Sequence, residues 1–188
     1  MNPEGTEMSK SRPFLAFTVV ALLNAYFTQS QAQELLLPLR ETARPETTDG
    51  VPHVQIGVDA VPALSEELQR RVAEFPDVRL GPTRVSLPGA VGFQLAGDIT
   101  LARPEVIVGG REFAHLHPDG SLHASLSPEI ALAAVTAGWA VPHPWANQRP
   151  GWEGFVLIYS PISEEELKVV LDLLRSSYGY VTGRSIPE

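Results

Sequence analysis

Apolar positions along this chain repeat with two periods, and the switches between them mark its elements. Leu68, Val72 and Phe75 fall on one helical face, Ser65 ahead of Glu66 and Glu67 supplies an N-cap with acids in the first turn, and Pro76 supplies a stop. The spacing predicts a short amphipathic helix that opens at Ser65. Beyond it, Val78 to Leu80, Arg84 to Leu87, Val91 to Ala96 and Glu105 to Val108 are short runs, several of them alternating, separated by Gly-Pro, Pro-Gly, Gly-Asp and Gly-Gly breaks. They read as strands of an antiparallel meander.

The helical period returns twice. Ser127-Pro128-Glu129 gives an N-cap with proline at the first helical position, Ile130 to Ala137 is alanine-rich, and Gly138 is a natural C-terminal stop. Ser163 with Glu166 forms a capping box, and Leu167, Val170, Leu171 and Leu174 make the buried stripe of a C-terminal helix. Between these helices, Trp139 to Val141 and Phe155 to Ser160 read as strands joined by a loop over Pro142 to Glu153. The expected fold is a single α+β domain, a mostly antiparallel sheet with about three helices packed on one face, over residues 65–188.

Ahead of that domain the composition changes. Lys10 and Arg12 lead an apolar run from Phe14 to Phe27, and Ser30-Gln31-Ala32 places small residues where a signal peptidase cuts. Residues 1–32 are therefore expected to be a signal peptide or an N-terminal membrane anchor, putting the domain outside the cytoplasm, secreted, periplasmic or membrane-tethered. Residues 33–64, rich in Pro, Thr, Glu and Gly, read as an extended tether in which His53 stands alone and exposed. The length of 188 residues suits one domain, and the net charge of −8 argues against nucleic acid as a partner. The absence of cysteine removes disulfides, thiolate nucleophiles and thiolate metal sites, so any metal must rest on His, Asp or Glu.

Three of the five histidines lie in "EFAHLHPDGSLHAS", residues 112–125. Pro118-Asp119-Gly120 predicts a three-residue hairpin loop, which pairs His117 with Ser121, Leu116 with Leu122, His115 with His123, Ala114 with Ala124 and Phe113 with Ser125. Alternation then puts His115, His117, Ser121, His123 and Ser125 on one face, and Ala114, Leu116, Leu122, Ala124 and Leu126 on the core face. Opposed Cβ atoms are ~5 Å apart in such a pair, so the three rings can converge. Three neutral imidazoles suit a zinc, iron or copper ion; clustered imidazoles also suit proton abstraction and anion holding. A solvated, inert sheet face is the third reading.

His143 lies in "VPHPWANQRPGW", where prolines stiffen the backbone and Trp145 and Trp152 can wall a pocket. Arg111 and Glu112 read as an exposed ion pair, Asp119 as turn chemistry, and Trp139 and Tyr159 as strand aromatics of the core. Phosphate loops, dinucleotide fingerprints and nucleophile elbows are missing from the sequence.

Taken together, "REFAHLHPDGSLHASL", "AGWAVPHPWA", "FVLIYSPISEEELKVV" and "SSYGYVTG" resemble the luciferase domain of bioluminescent fungi and its relatives of unassigned activity. The likeness runs from Arg111 to Gly183, with a tight Pro-Asp-Gly turn and Trp145-Ala146-Asn147 as departures from the family pattern. It implies an oxygenase that needs no organic cofactor, takes dioxygen as co-substrate and acts on an enolic, pyrone-like compound. It also implies His115, His117, His123 and His143 as catalytic residues, with Arg111, Glu112 and Trp139 beside them; Trp145 and Tyr159 complete the expected substrate-binding set. If a divalent metal takes part, His115, His117 and His123 are its ligands. The expected partner is a small aromatic or enolic substrate, with a membrane touched only through the N-terminal segment. The alternative from another class is a non-catalytic domain outside the cytoplasm that binds a small molecule or a metal.

Overall fold

Helix ends are where the sequence signals are strongest, and the structure, a computed structural model, follows most of them. It describes residues 37–186, together with Met1. The elements are β1 (Glu46–Thr47), β2 (Gln55–Ile56), α1 (Pro62–Val72), β3 (Val78–Pro82), β4 (Val91–Leu95), β5 (Glu112–Leu116), β6 (Leu122–Ser125), α2 (Pro128–Ala137), β7 (Ala140–Pro142), β8 (Phe155–Ile158) and α3 (Glu164–Thr182). Ser127 Oγ accepts the Ile130 N–H and Gly138 closes α2 in the left-handed region at φ 90°, as the cap residues predict. Ser163 likewise caps α3 through the Glu166 N–H. Only that half of the expected capping box forms, because the Glu166 carboxylate turns to Arg40, Thr42 and the Ile162 N–H.

Six strands form one antiparallel sheet in the order β3-β4-β5-β6-β8-β7. α3 lies across β5 and β6, α1 packs on α3, and α2 lies against β7. The interior between α3 and the sheet holds Phe93, Phe113, Leu122 and Ala124 with Leu171, Leu174 and Tyr178, all buried. Burying an aliphatic or aromatic side chain of this size contributes roughly 1.5–3 kcal/mol, which anchors that face of the sheet. The opposite face is roofed by loops, and the histidines lie beneath them.

Four expectations are corrected. α1 opens at Pro62 rather than Ser65, with Val61 as an N-cap that makes no side-chain bond; proline at the first position and burial of Leu64 add a turn. Arg84–Leu87 is loop, because the Arg84 N–H is taken by the Glu112 carboxylate instead of a strand partner. Glu105–Val108 is no strand either: Pro104–Val106 is a single 3-10 turn opened by its proline. Finally, from Leu37 on, the expected tether packs onto the domain. The Arg40 N–H bonds Ala137 O at 2.8 Å, Gln55 Oε1 accepts the Ser160 N–H at 2.8 Å, and β1 and β2 pair as a small ribbon. The leader expected over residues 1–32 lies outside the described residues. Among those described, no helix is long and apolar enough to cross a membrane.

Candidate active site

The Pro118-Asp119-Gly120 loop fixes the register that brings the first three rings together. Gly120 adopts φ +82°, which an L side chain resists, and the His117 N–H bonds Ser121 O at 2.8 Å. Ala114, His115 and Leu116 then pair with Ala124, His123 and Leu122, as the loop length predicts. His115 and His123 have ring centroids 5.0 Å apart, His117 and His123 4.5 Å.

Strict alternation fails at one point. Phe93 pairs with Ala114 but Gln94 with Glu112, so Phe113 is an extra residue, a β-bulge in β5. Phe113 therefore joins Phe93 and Tyr178 in the core. Glu112 moves to the histidine face, where it is buried rather than exposed with Arg111. Its Oε1 accepts from Thr83 Oγ1 at 2.7 Å and from His115 Nδ1 at 2.9 Å, and its Oε2 accepts the Arg84 N–H at 3.2 Å.

The remaining two histidines arrive on loops. His143 follows β7, is buried, and has its ring 4.5 Å from His123 and 4.3 Å from Phe155. His53 comes from the turn of the β1–β2 ribbon. It is 3 % exposed, stacked on His123 at 5.4 Å and edge-on to His143 at 5.1 Å. The expectation of an exposed His53 is thereby overturned, and sequence reasoning missed a site residue. Its one signal is weak, the alternation of Val54-Gln55-Ile56 just after it; what pins the segment is long-range, the Gln55 N–H on Asp119 Oδ2 at 3.0 Å.

All five imidazoles line one cavity of about 360 Å³ whose other walls include Val85, Leu87, Pro88, Val108, Trp145 and Phe155. The polar end is thus imidazole and the rest is apolar, the arrangement of a small-molecule site.

Hydrogen bonds fix how the rings are protonated. A carboxylate only accepts, so His115 carries its proton on Nδ1 and presents a lone pair at Nε2. That lone pair faces His123 Nδ1 at 3.1 Å, and His123 Nε2 faces His53 Nδ1 at 3.3 Å, so each ring donates from Nδ1 and the run ends with a lone pair on His53 Nε2. Ser121 Oγ gives its proton to Asp119 Oδ1 at 2.7 Å and can only accept from His117 Nδ1 at 2.9 Å. The His117 lone pair is therefore on Nε2, which is buried without a partner among the described residues. His143 is set the other way: its Nδ1 accepts the Trp145 N–H at 3.0 Å, leaving a donor at Nε2.

Burial disfavours charge on His53, His117, His123 and His143. It pushes His117 down to about 4, with the neighbouring His115 adding to the shift, and His143 down to about 3, with His53 and His115 adding. His123 is held well below the usual histidine range by burial and then by its imidazole neighbours, and His53 is lowered by burial.

Of the expected site residues, His115, His117, His123, His143 and Trp145 line this cavity, and Glu112 stands behind His115. Arg111, Trp139 and Tyr159 do not. Arg111 turns its guanidinium to the Leu95 and Ile99 carbonyls. Trp139 and Tyr159 sandwich the Arg40 guanidinium at 5.6 and 5.4 Å, and the Trp139 Nε1–H bonds Pro38 O. That cation–π cluster holds the stretch around Pro38 and Arg40 and lines no part of the cavity.

Residues 110–177, which span the bulge, the hairpin and His143, match the luciferase domain family. The chain carries a luciferase domain. It is 30 % identical to the luciferase of Armillaria mellea over 169 residues, covering 78 % of this chain and 61 % of that one. Against the Armillaria gallica luciferase it is 30 % identical over 167 residues, with the same shares covered. The Neonothopanus nambi luciferase is 36 % identical over 78 residues, 38 % of this chain and 28 % of that one. The chain thus spans about three fifths of the length of the Armillaria mellea and Armillaria gallica relatives. No solved structure matches it. Within the luciferase domain fall Glu112, His115, His117, His123 and His143; His53 lies ahead of it.

Proposed function

We propose that this protein is a luciferase-like oxygenase that adds dioxygen to a small enolic or phenolic compound without an organic cofactor. The observation that carries the reading is the run Glu112–His115–His123–His53, which ends at an apolar cavity with an acceptor on His53 and a donor on His143. An enol bound there gives its proton to His53 Nε2, while His143 Nε2–H and the newly protonated His53 hold the enolate oxygen. The proton raises no isolated charge, because the enolate compensates it in a site from which water is largely excluded. An electron-rich enolate passes an electron to dioxygen, and recombination forms the C–O bond of a peroxide; substrate and dioxygen are the only reactants consumed. Trp145, Phe155 and the aliphatic wall receive the substrate ring. Kinship with the fungal luciferases supports both the reaction class and a pyrone-like substrate.

The proposal includes export, or tethering by the N-terminal segment, a reading that rests on the sequence of residues 1–32. Oxygen uptake with hydroxylated pyrones and polyphenols tests the activity. Loss of a general base lowers such rates by roughly 10²–10⁴-fold, and the double variant His115→Ala with His123→Ala is expected to fall in that range. Equal uptake by wild type and double variant ends the reading.

A further inference from the structure

We propose that His115, His117 and His123 form a facial triad for one divalent first-row transition-metal ion. The proposal rests on the reading above in taking the same cavity as the reaction chamber. One ring nitrogen from each of the three lies within 4.8 Å of the others, and all three rings line the cavity.

The orientation of the rings is that of ligands. His115 is held from behind by Glu112 and His117 by Ser121, which is itself held by Asp119. Carboxylate and hydroxyl partners on the far nitrogen are what fix a ligating imidazole and raise its basicity. Both rings turn the lone pair of Nε2 inward. On His117 that atom is buried with no partner among the described residues, an acceptor directed at nothing the described fold supplies. The separation of His115 Nε2 and His123 Nδ1, 3.1 Å, is close to the ~3.3 Å edge of a tetrahedron with metal–nitrogen bonds of ~2.0–2.1 Å. Moving the His123 proton from Nδ1 to Nε2, where His53 Nδ1 accepts it, would exchange that imidazole–imidazole hydrogen bond for two bonds to an ion.

A second trio, His53, His123 and His143, has the same spacing but the wrong protonation. His143 Nδ1 is occupied by the Trp145 N–H, so its Nε2 bears hydrogen and offers no lone pair. The partners of His123 are imidazoles, which can exchange donor and acceptor roles and let its Nδ1 ligate, whereas the Trp145 N–H can only donate and locks His143; the first set is therefore the ligands. Three nitrogen donors and no thiolate select zinc, iron, cobalt, nickel or copper over magnesium or calcium, which demand oxygen. Held by these three rings at the polar end of the cavity, the ion would supply a Lewis acid that takes over from His53 the task of acidifying the enol.

The test uses the full chain, stripped with chelator and titrated with Zn²⁺ by calorimetry and with Co²⁺ by visible absorption. The expected result is one equivalent bound, with a Co²⁺ d–d band that appears in step. His117→Ala and the milder His117→Gln, each checked for fold by circular dichroism, lower affinity by about 100-fold, whereas His143→Gln, which removes a ring of the second trio only, leaves it within a few-fold. Absence of saturable binding, or equal binding by folded His117 variants, overturns the triad. Oxygen uptake measured in parallel separates the two claims. Uptake by stripped protein that binds no metal overturns the triad alone, and stoichiometric binding without uptake supports the triad and overturns the oxygenase.

Discussion

Glu112 Oε1 stands 2.9 Å from His115 Nδ1, and the contact exists because β5 carries one residue more than its partner strand. Without the bulge at Phe113, alternation would send Glu112 into the core and Phe113 into the cavity. The carboxylate sets the direction of every donor from His115 to His53. In Glu112→Gln the side-chain amide offers both donor and acceptor to His115, so that direction is no longer imposed. Turnover is expected to fall about 10–100-fold, the usual effect of such a partner. Steady-state oxygen uptake checks this, and an unchanged rate removes Glu112 from the account.

Gly92 lies opposite His115 on β4. A Cβ at this position meets the Glu112 carboxylate and lies 3.2 Å from the Thr83 backbone. Gly92→Ala should therefore displace Glu112, lowering turnover to the level of Glu112→Gln and costing roughly 1–3 kcal/mol of stability by overpacking. Its strand neighbour Gly81 is the control, because a Cβ there meets only Gln94 Nε2 at 3.8 Å, an ordinary contact. Thermal melts and uptake assays on both alanine variants measure the difference.

Neutral buried imidazoles tie stability to pH. His117 is pushed down to about 4 and His143 to about 3, whereas in the unfolded chain histidine titrates near 6.5. Between those values the unfolded state binds more protons, so stability is full above about pH 6.5 and falls as pH drops. Each such group contributes a slope of at most about 1.4 kcal/mol per pH unit. Urea titrations of chelator-stripped protein at pH 7, 6 and 5 should show a falling midpoint. His117→Gln should flatten the fall, and a pH-independent midpoint contradicts the neutral cluster.

How much of this was legible in the sequence follows from the range of the interactions. The His115–His123 pairing is local, fixed by a three-residue loop, and strand alternation delivers it. The bulge that moves Glu112 is invisible to alternation, since it depends on where β4 ends its pairing. His53 is the larger miss. It reaches the site through Gln55, whose partners Asp119 and Ser160 are far away in the chain, and a Pro- and Thr-rich composition gives no hint of such docking. The roofing loops misread as strands share this cause. Val85, Leu87 and Val108 are apolar because they wall a cavity.

Arg40 tests the same docking from the other side. Its guanidinium pairs with Glu166 at 3.0 Å, with only 2 % of the side chain exposed, and lies between Trp139 and Tyr159. Arg40→Met leaves Glu166 buried without its cation, which costs roughly 3–5 kcal/mol. The melting temperature should drop by on the order of 10 °C. Uptake per folded molecule should hold well below the transition, because the cluster lines no part of the cavity. A stable variant with lost activity would place Arg40 in the site instead.

The central claim is that the imidazole end of the cavity is where dioxygen meets substrate. Its most direct measurement is mass spectrometry of the product formed from a hydroxylated pyrone under oxygen-18 gas, with wild type and His123→Ala side by side. The account predicts label from the gas in the wild-type product and at least about 100-fold less labelled product from the variant. Unlabelled product from wild type, or equal labelling by both proteins, contradicts it.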